Sequence, residues 1–184
     1  MPEEIEWTPD FMLTVEHFLG ISDNNDPYHA KSRTGIQYFF SHTLDEDKKR
    51  FKVKVEDIWT RAYFFPSQSW LKLEVTGGIH LPELLKHEQG HFDMAEKFSR
   101  KFDRKLKNEF RKKTFVFHKK ITIDPIDSTS KIIQNYFVEI NEQVEDEHAI
   151  YDKETNHGTI IEQQEKYNMR FSGLRNLHDI KRSA

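Results

Sequence analysis

The alternation of apolar and polar residues predicts β-structure in the first half of the chain. Apolar and charged residues alternate over 51–56, and residues 58–65 continue that character. A period of two is typical of a half-buried strand. Residues 32–42 also have strand composition, and the charged segment 44–50 between the two predicts a turn. This half of the chain therefore indicates a small, mostly antiparallel sheet.

Shorter elements are expected on either side of this sheet. The first thirty residues form an arm that ends in a polar loop at 22–27. Its apolar residues available for packing are Trp7, Phe11, Leu13, Val15, Phe18 and Leu19. After a break at 66–69, the chain reaches Gly77-Gly78 through Trp70, Leu71, Leu73 and Val75.

Apolar residues three and four positions apart predict that the second half is helical. A first long helix is expected to begin near Pro82, which suits a first helical turn, and to extend to about Lys112. Its apolar stripe consists of Leu84, Leu85, Ala95, Phe98, Phe102, Leu106 and Phe110. The stripe passes through Glu88 and His91, with His87 at its edge. Polar groups buried in such a stripe need partners, because burying them unpaired is costly.

A short strand and two further helices complete the predicted fold. Phe115, Phe117, Ile121 and Ile123 alternate as a strand, which Asp124-Pro125 ends. A second long helix is expected over 128–156, with Gly158 placed to stop it, and a shorter one over 160–177. The second helix would bury Ile133, Phe137, Ile140, Val144, His148, Tyr151 and Thr155. The sequence thus predicts one α+β domain over 1–184, a small N-terminal sheet packed on two long helices.

Composition narrows the possible functions. The 184 residues carry a net charge of only −3, which argues against a general nucleic-acid binder. The absence of cysteine excludes disulfides, cysteine-ligated zinc and thiol nucleophiles. No apolar run of about 18 residues is present, so no membrane span is expected. The N-terminus has neither the basic nor the apolar region of a signal peptide.

The segment His87-Glu88-Gln89-Gly90-His91 has the HExxH pattern of a zinc-hydrolase helix. Residues four apart lie one above the other on an α-helix, so His87 and His91 can present two imidazoles to one metal ion. Glu88 lies on the same turn, where it can accept a proton from the attacking water. Two ligands and a general base are therefore available on a single turn.

A catalytic zinc ion usually has three protein ligands and a water molecule. Lys97 stands six residues after His91, so the extended motif HExxHxxGxxH is absent and the third ligand must come from another element. The end of the second long helix offers His148, Asp152 and His157. We expect His148 to face the core rather than to bind metal.

These two segments together resemble the bacterial family of predicted secreted zinc-dependent proteases, first catalogued as a domain of unknown function. The resemblance is carried by HEQGHFD at 87–93 and YDKETNHG at 151–158, with further likeness around 18–20 and 69–71. It implies a zincin-like HExxH helix and a metal-dependent peptidase. It also implies that His157 is the third ligand, and that Asp152 is either a ligand or the group that orients one. A secreted or periplasmic location is implied too; a cytoplasmic location is the alternative.

The sequence therefore predicts a zinc metallopeptidase that acts on a peptide or protein substrate. Zinc would be held by His87, His91 and His157, with Glu88 as general base. Tyr151 is expected to pack in the buried stripe and is also the nearest phenol that could stabilise the oxyanion. The main alternative is a binding or interaction domain in which the metal only braces two helices. An interaction domain without metal and a hydrolase of non-peptide bonds are further alternatives.

Overall fold

The computed structural model describes residues 3–22, 27–72, 81–120 and 123–181. Its strands are β1 (Ile5–Glu6), β2 (Ala30–Lys31), β3 (Thr34–Glu46), β4 (Arg50–Phe64), β5 (Trp70–Leu71) and β6 (Thr114–His118). Its helices are α1 (Leu81–Phe110), α2 (Pro125–Thr155) and α3 (Ile161–Lys181), with short 3-10 turns at Val15–His17 and Pro66–Gln68. The predicted α+β class, with antiparallel sheets and long helices, is confirmed.

Some expectations lie outside the described residues. These are the packing of Leu73 and Val75, the Gly77-Gly78 turn, the strand position of Ile121, the burial of the Ile140 side chain and most of the loop at 22–27. Within the described residues, no helix is both long enough and apolar enough to cross a membrane.

The larger sheet has the order β1-β4-β3, and β6 also pairs with β4. β1 and β6 run antiparallel to β4, and β2 and β5 form a separate antiparallel pair. Strand β3 extends to Glu46, beyond the predicted end at residue 42, so the turn is shorter than expected. It can be short because the Asp47 carboxylate accepts hydrogen bonds from the backbone N–H groups of Lys49 and Arg50, both at 2.8 Å.

The chain divides into two compact units. Unit 1 comprises Met1–Ile36, Arg61–Phe98 and Val144–Ala184, and unit 2 comprises Gln37–Thr60 and Ser99–Gln143. Strands β3 and β4 and helices α1 and α2 contribute residues to both units. The expectation of a single domain stays a prediction. All the predicted site residues belong to unit 1.

The N-terminal arm packs in the core of unit 1. This core contains Trp7, Leu13, Ala62, Phe64, Phe92 and Ala95, with Ile5, Phe11, Phe18, Ile36 and Leu174 against it. The expectation that Leu19 packs is wrong, because its side chain is 44% exposed. The arm is also tied to α1 by polar contacts: Trp7 Nε1 donates to Asp93 Oδ1 at 2.8 Å, and the backbone N–H of Leu13 donates to Gln89 Oε1 at 2.7 Å. Gln89, inside the HExxH motif, thus anchors the arm.

Both long helices have bounds slightly different from those predicted. Helix α1 ends at Phe110, and Lys112 already has a left-handed φ of 66°. Helix α2 begins at Pro125 rather than near residue 128, because Asp124 Oδ1 accepts the N–H groups of Ile126 and Asp127 at 2.7 and 3.2 Å. Asp124-Pro125 therefore starts a helix, as an N-cap followed by proline at the first position, and does not simply end a strand.

Candidate metal centre

The HExxH turn lies in the buried part of α1. His87 is 1% exposed, Glu88 3% and His91 8%. The two histidines share one helix face, as their spacing of four predicts. This face meets the last turns of α2, where Tyr151 is fully buried and Asp152 is half-buried. The predicted approach of the two motifs is therefore present in the structure.

Three ligand atoms form a small triangle at this place. His87 Nε2 lies 3.1 Å from Asp152 Oδ1, His91 Nε2 lies 3.0 Å from the same oxygen, and the two Nε2 atoms are 3.3 Å apart. Bonds of about 2.0–2.1 Å around a tetrahedral zinc ion place neighbouring ligand atoms roughly 3.3 Å apart. The triangle has the size that such an ion requires. His87, His91 and Asp152 form a group that can hold a metal ion.

The electrostatics of the triangle favour a positive charge at its centre. Burial would raise the pKa of Asp152, but hydrogen bonds from His87 and His91 outweigh it and hold that pKa well below its usual range. Burial would lower the pKa of His91, but the Asp152 hydrogen bond and the charges of Glu88 and Asp152 raise it overall. Asp152 is therefore an anion, and without a metal the site attracts a proton onto His91.

His148 lies behind His91. The Nδ1 atoms of the two rings are 2.7 Å apart, and the rings are stacked at a centroid distance of 5.0 Å. Burial, followed by the charge of His91, lowers the pKa of His148 to about 3. A neutral His148 can accept the Nδ1 proton of His91, which leaves His91 Nε2 for the triangle. The residue expected to face the core thus contacts a candidate ligand directly.

Tyr151 contacts His87 from the opposite side. Its ring stacks on the His87 imidazole at 4.7 Å, and its hydroxyl donates to the His87 backbone carbonyl at 3.1 Å. The hydroxyl also accepts a hydrogen bond from Gln164 Nε2 at 2.8 Å, and burial raises its pKa. These contacts favour a packing and positioning role for Tyr151 over stabilisation of an oxyanion, because its proton is already used inside the protein.

His157 lies just outside the triangle. Asn156, His157 and Gly158 have φ values of 45°, 53° and 82°, so the chain leaves α2 through a left-handed turn. This turn leaves the His157 side chain 41% exposed, with Nδ1 3.7 Å from Asp152 Oδ1. The described residues grouped around the metal position are His87, His91 and Asp152, without His157. The ligand role of His157 stays a prediction.

A cleft of about 290 Å³ opens beside the HExxH turn. Its walls are formed by Pro27, Tyr28, His29, Ala30, Leu84, Glu88, Asn156, His157 and Thr159. Glu88 Oε2 is buried and has no hydrogen-bond partner among the residues that the structure describes. Burying a carboxylate oxygen without a partner is costly unless a ligand or a water molecule donates a hydrogen bond to it. Glu88 therefore lines the cleft and has a carboxylate oxygen without a partner among the described residues, two features expected of a general base.

Two residues of the site have no ligand chemistry of their own and were not identified from the sequence. Gly90 permits the close approach of Tyr151, since a Cβ at this position would lie 2.1 Å from the Tyr151 hydroxyl oxygen. Gln164, on α3, reaches His87 Nδ1 with Oε1 at 3.2 Å. Neither role has a local sequence signal, because each depends on a contact with a residue at least 61 positions away.

Comparison of the chain with protein-family models, with curated proteins and with solved structures found no match. The resemblance to secreted zinc-dependent proteases therefore stays a prediction. The fold and the geometry define an α+β protein with a candidate metal centre made of two histidines and one aspartate.

Proposed function

We propose that this protein is a zinc-dependent hydrolase that cleaves peptide bonds in peptides or proteins, with zinc held by His87, His91 and Asp152. The observation that supports this most directly is the triangle of ligand atoms with edges of 3.0–3.3 Å. Two imidazoles and a carboxylate are a ligand set of zinc hydrolases, and they leave one tetrahedral position open for water or substrate.

Glu88 is the general base of the proposed reaction. When bound, zinc would supply the Lewis-acid polarisation of the attacking water and of the substrate carbonyl. Glu88 accepts a proton from the water while the water oxygen bonds to the carbonyl carbon of the substrate. Glu88 then returns this proton to the leaving amine as the C–N bond breaks. The cleft that Glu88 lines holds the substrate next to this carboxylate.

Metal analysis of the purified protein tests the centre. We expect one equivalent of zinc after loading, and its loss in His87→Ala because two ligand atoms are too few for tight binding. His42→Ala, which removes an exposed histidine from β3, should keep the zinc. A wild-type protein that binds no zinc would contradict the proposal.

Glu88→Gln tests the catalytic role separately from metal binding. The variant keeps the shape of the side chain but cannot accept a proton, so zinc should remain while turnover of a fluorescent peptide library falls by about 10²–10⁴-fold. Glu109→Gln, on the exposed end of α1, should behave as wild type. Zinc binding without any peptide cleavage in the wild type would instead favour a binding domain that the metal only braces.

A pair of substitutions distinguishes the two candidate third ligands. If Asp152 is the ligand, Asp152→Asn should weaken zinc binding strongly and His157→Asn should weaken it little. The opposite order would support the ligand set that the family resemblance implies.

A further inference from the structure

Gln164 lies directly behind His87, one of the two α1 histidines in the triangle of ligand atoms. Its side chain is 2% exposed, and its Oε1 is 3.2 Å from His87 Nδ1. The other ring nitrogen, His87 Nε2, belongs to the triangle of ligand atoms. A neutral imidazole carries its proton on only one nitrogen, so a proton held on Nδ1 leaves the Nε2 lone pair free for a metal ion.

The orientation of the Gln164 amide follows from a chain of contacts along α3. Asn168 Nδ2 lies 3.2 Å from Glu165 Oε1, and a carboxylate oxygen only accepts hydrogen bonds. Asn168 therefore directs Oδ1 towards Gln164, whose Nε2 donates to it at 2.9 Å. The amide oxygen of Gln164 must then face His87, where it can accept a hydrogen bond from Nδ1–H.

Tyr151 is compatible with this orientation. Gln164 Nε2 donates its second proton to the Tyr151 hydroxyl oxygen at 2.8 Å. The Tyr151 hydroxyl has two acceptors at 3.1 Å for its own proton, the backbone carbonyl of His87 and Gln164 Oε1. Both amide protons of Gln164 are used in this way, and Oε1 keeps a lone pair that can accept the proton of His87 Nδ1.

A second acceptor next to His87 gives independent support. Thr155 Oγ1 donates its only proton to the Tyr151 backbone carbonyl at 2.7 Å, so it can only accept from His87 Nδ1, which lies 3.4 Å away. Two acceptors thus face the same ring nitrogen. At 3.4 Å the Thr155 contact is long for a hydrogen bond, which makes Gln164 the stronger partner.

We propose that Gln164 is a positioning residue that holds the His87 imidazole as its Nδ1–H tautomer, so that Nε2 is presented to the metal. This inference rests on the proposed metal centre. Groups that orient a ligand imidazole in this way contribute about 10–100-fold to metal affinity. Gln164 touches neither the metal position nor the cleft, and it acts through the ring of His87.

Long-range ¹H–¹⁵N NMR of the metal-free protein, at a pH at which the ring is neutral, reads the tautomer directly. We expect the Nδ1–H form of His87 to be populated in the wild type, in competition with the Nε2–H form that can donate to Asp152 Oδ1 at 3.1 Å. In Gln164→Met, which keeps the length of the side chain and removes the acceptor at Nδ1, the fraction of the Nε2–H form should increase. A wild-type His87 protonated on Nε2 alone would overturn the proposal whether or not any variant folds.

Zinc affinity, measured by competition with a chelating dye, gives the second readout. Gln164→Met should weaken zinc binding by about 10–100-fold, whereas the same substitution at the neighbouring Gln163 should change it less than about twofold. Gln164→Glu keeps an acceptor at the same distance from the backbone and should restore both the Nδ1–H tautomer and most of the affinity. Wild-type affinity in Gln164→Met would overturn the proposal.

The two readouts separate this inference from the proposed function. If the wild type bound no zinc, the metal centre would be wrong, and the tautomer of His87 in wild type and Gln164→Met would still decide the role of Gln164. If zinc bound tightly and Gln164→Met kept the Nδ1–H tautomer, the metal centre would stand and the role of Gln164 would be wrong.

Discussion

At the scale of single residues, Gly90 is as important to the site as its charged neighbours. The Tyr151 hydroxyl occupies the space where a side chain at position 90 would begin, and from there it donates to the carbonyl of His87. The second variable position of the HExxH motif is therefore constrained by α2. Its constraint is steric, since the residue itself supplies no chemistry.

Gly90→Ala should therefore damage both stability and metal binding. Its Cβ would lie 2.1 Å from the Tyr151 oxygen and 2.7 Å from Cζ, so Tyr151 must move away from His87. Overpacking of this kind lowers the free energy of unfolding by about 1–3 kcal/mol, measurable by urea denaturation. The control is Gly173→Ala on α3, where a Cβ meets no atom within 4 Å. This control should be neutral or should stabilise by about 0.5–1 kcal/mol, and equal effects of the two would contradict the prediction.

The raised pKa of His91 determines how zinc binding depends on pH. Its ring stays protonated above the ordinary value of 6.5, and zinc must displace this proton. Zinc affinity should therefore rise about tenfold per pH unit while His91 is protonated, and level off only above 6.5. Competition titrations from about pH 5.5 upward would locate the plateau, which should lie above pH 6.5.

Glu88→Gln is the matched variant for this pH profile. The charge of Glu88 is one of the causes that raise the pKa of His91, and Glu88 is not in the ligand triangle. The variant should shift the plateau to lower pH and leave the maximal zinc affinity nearly unchanged. A pH-independent affinity in the wild type would contradict the assignment of His91 as a protonated ligand.

How much of the site the sequence could predict depends on how local each feature is. His87, Glu88 and His91 share one helical turn, so their spacing alone predicts their common face. Residue spacing could not predict whether Asp152 or His157 lies in the triangle of ligand atoms. The answer depends on where α2 ends and on three successive residues with positive φ. Gln164 was missed because its contact with His87 joins α3 to α1.

At the scale of elements, a buried ion pair connects the N-terminal arm, α1 and α3. Arg175 on α3 pairs with Asp93 on α1, and its Nη1 donates to the backbone carbonyls of Pro9 and Phe11. Asp93 is only 4% exposed, and it also accepts hydrogen bonds from Trp7. Helix α1, which carries the candidate ligands His87 and His91, is thereby attached to two other elements within two residues of His91.

Arg175→Met should strongly destabilise the protein, because it leaves the Asp93 carboxylate buried without its cation. Removing one partner of a buried pair costs about 3–5 kcal/mol in the free energy of unfolding. Arg170→Met, which removes an exposed arginine that lies over the Tyr167 ring on the same helix, should cost at most about 1 kcal/mol. Adding Asp93→Asn to Arg175→Met should recover part of the loss. An Arg175→Met variant as stable as Arg170→Met would contradict this role.

At the scale of the whole molecule, hydrophobic periodicity was sufficient to predict the α+β class. A period of two identified β4 and strand composition identified β3, and apolar residues at three- and four-residue steps identified α1 and α2. Element ends were predicted less well, because they depend on caps such as Asp124 and on cross-strand pairing. Periodicity also cannot reveal the division into two compact units, since β4, α1 and α2 each contribute to both.

Zinc offers a test of whether the two units unfold as one domain, because the candidate ligands all belong to unit 1. A free zinc concentration 100 times the dissociation constant stabilises the state that binds zinc by about 2.7 kcal/mol. Amide hydrogen exchange that requires unfolding then slows by about 100-fold. We expect this slowing at core amides of both units, such as Phe92 in unit 1 and Leu106 in unit 2. The reason is that both residues lie on α1, whose hydrogen-bonded backbone is continuous between them.

Hydrogen exchange followed by NMR or mass spectrometry, with and without zinc, would measure the effect. In His87→Ala, zinc should slow exchange in neither unit, which controls for nonspecific effects of the ion. Slowing confined to residues 1–36, 61–98 and 144–184 would show that unit 1 unfolds on its own, and the prediction of a single domain would then be wrong. Equal slowing in both units would mean that occupancy of a site built by α1 and α2 stabilises the chain as one cooperative structure.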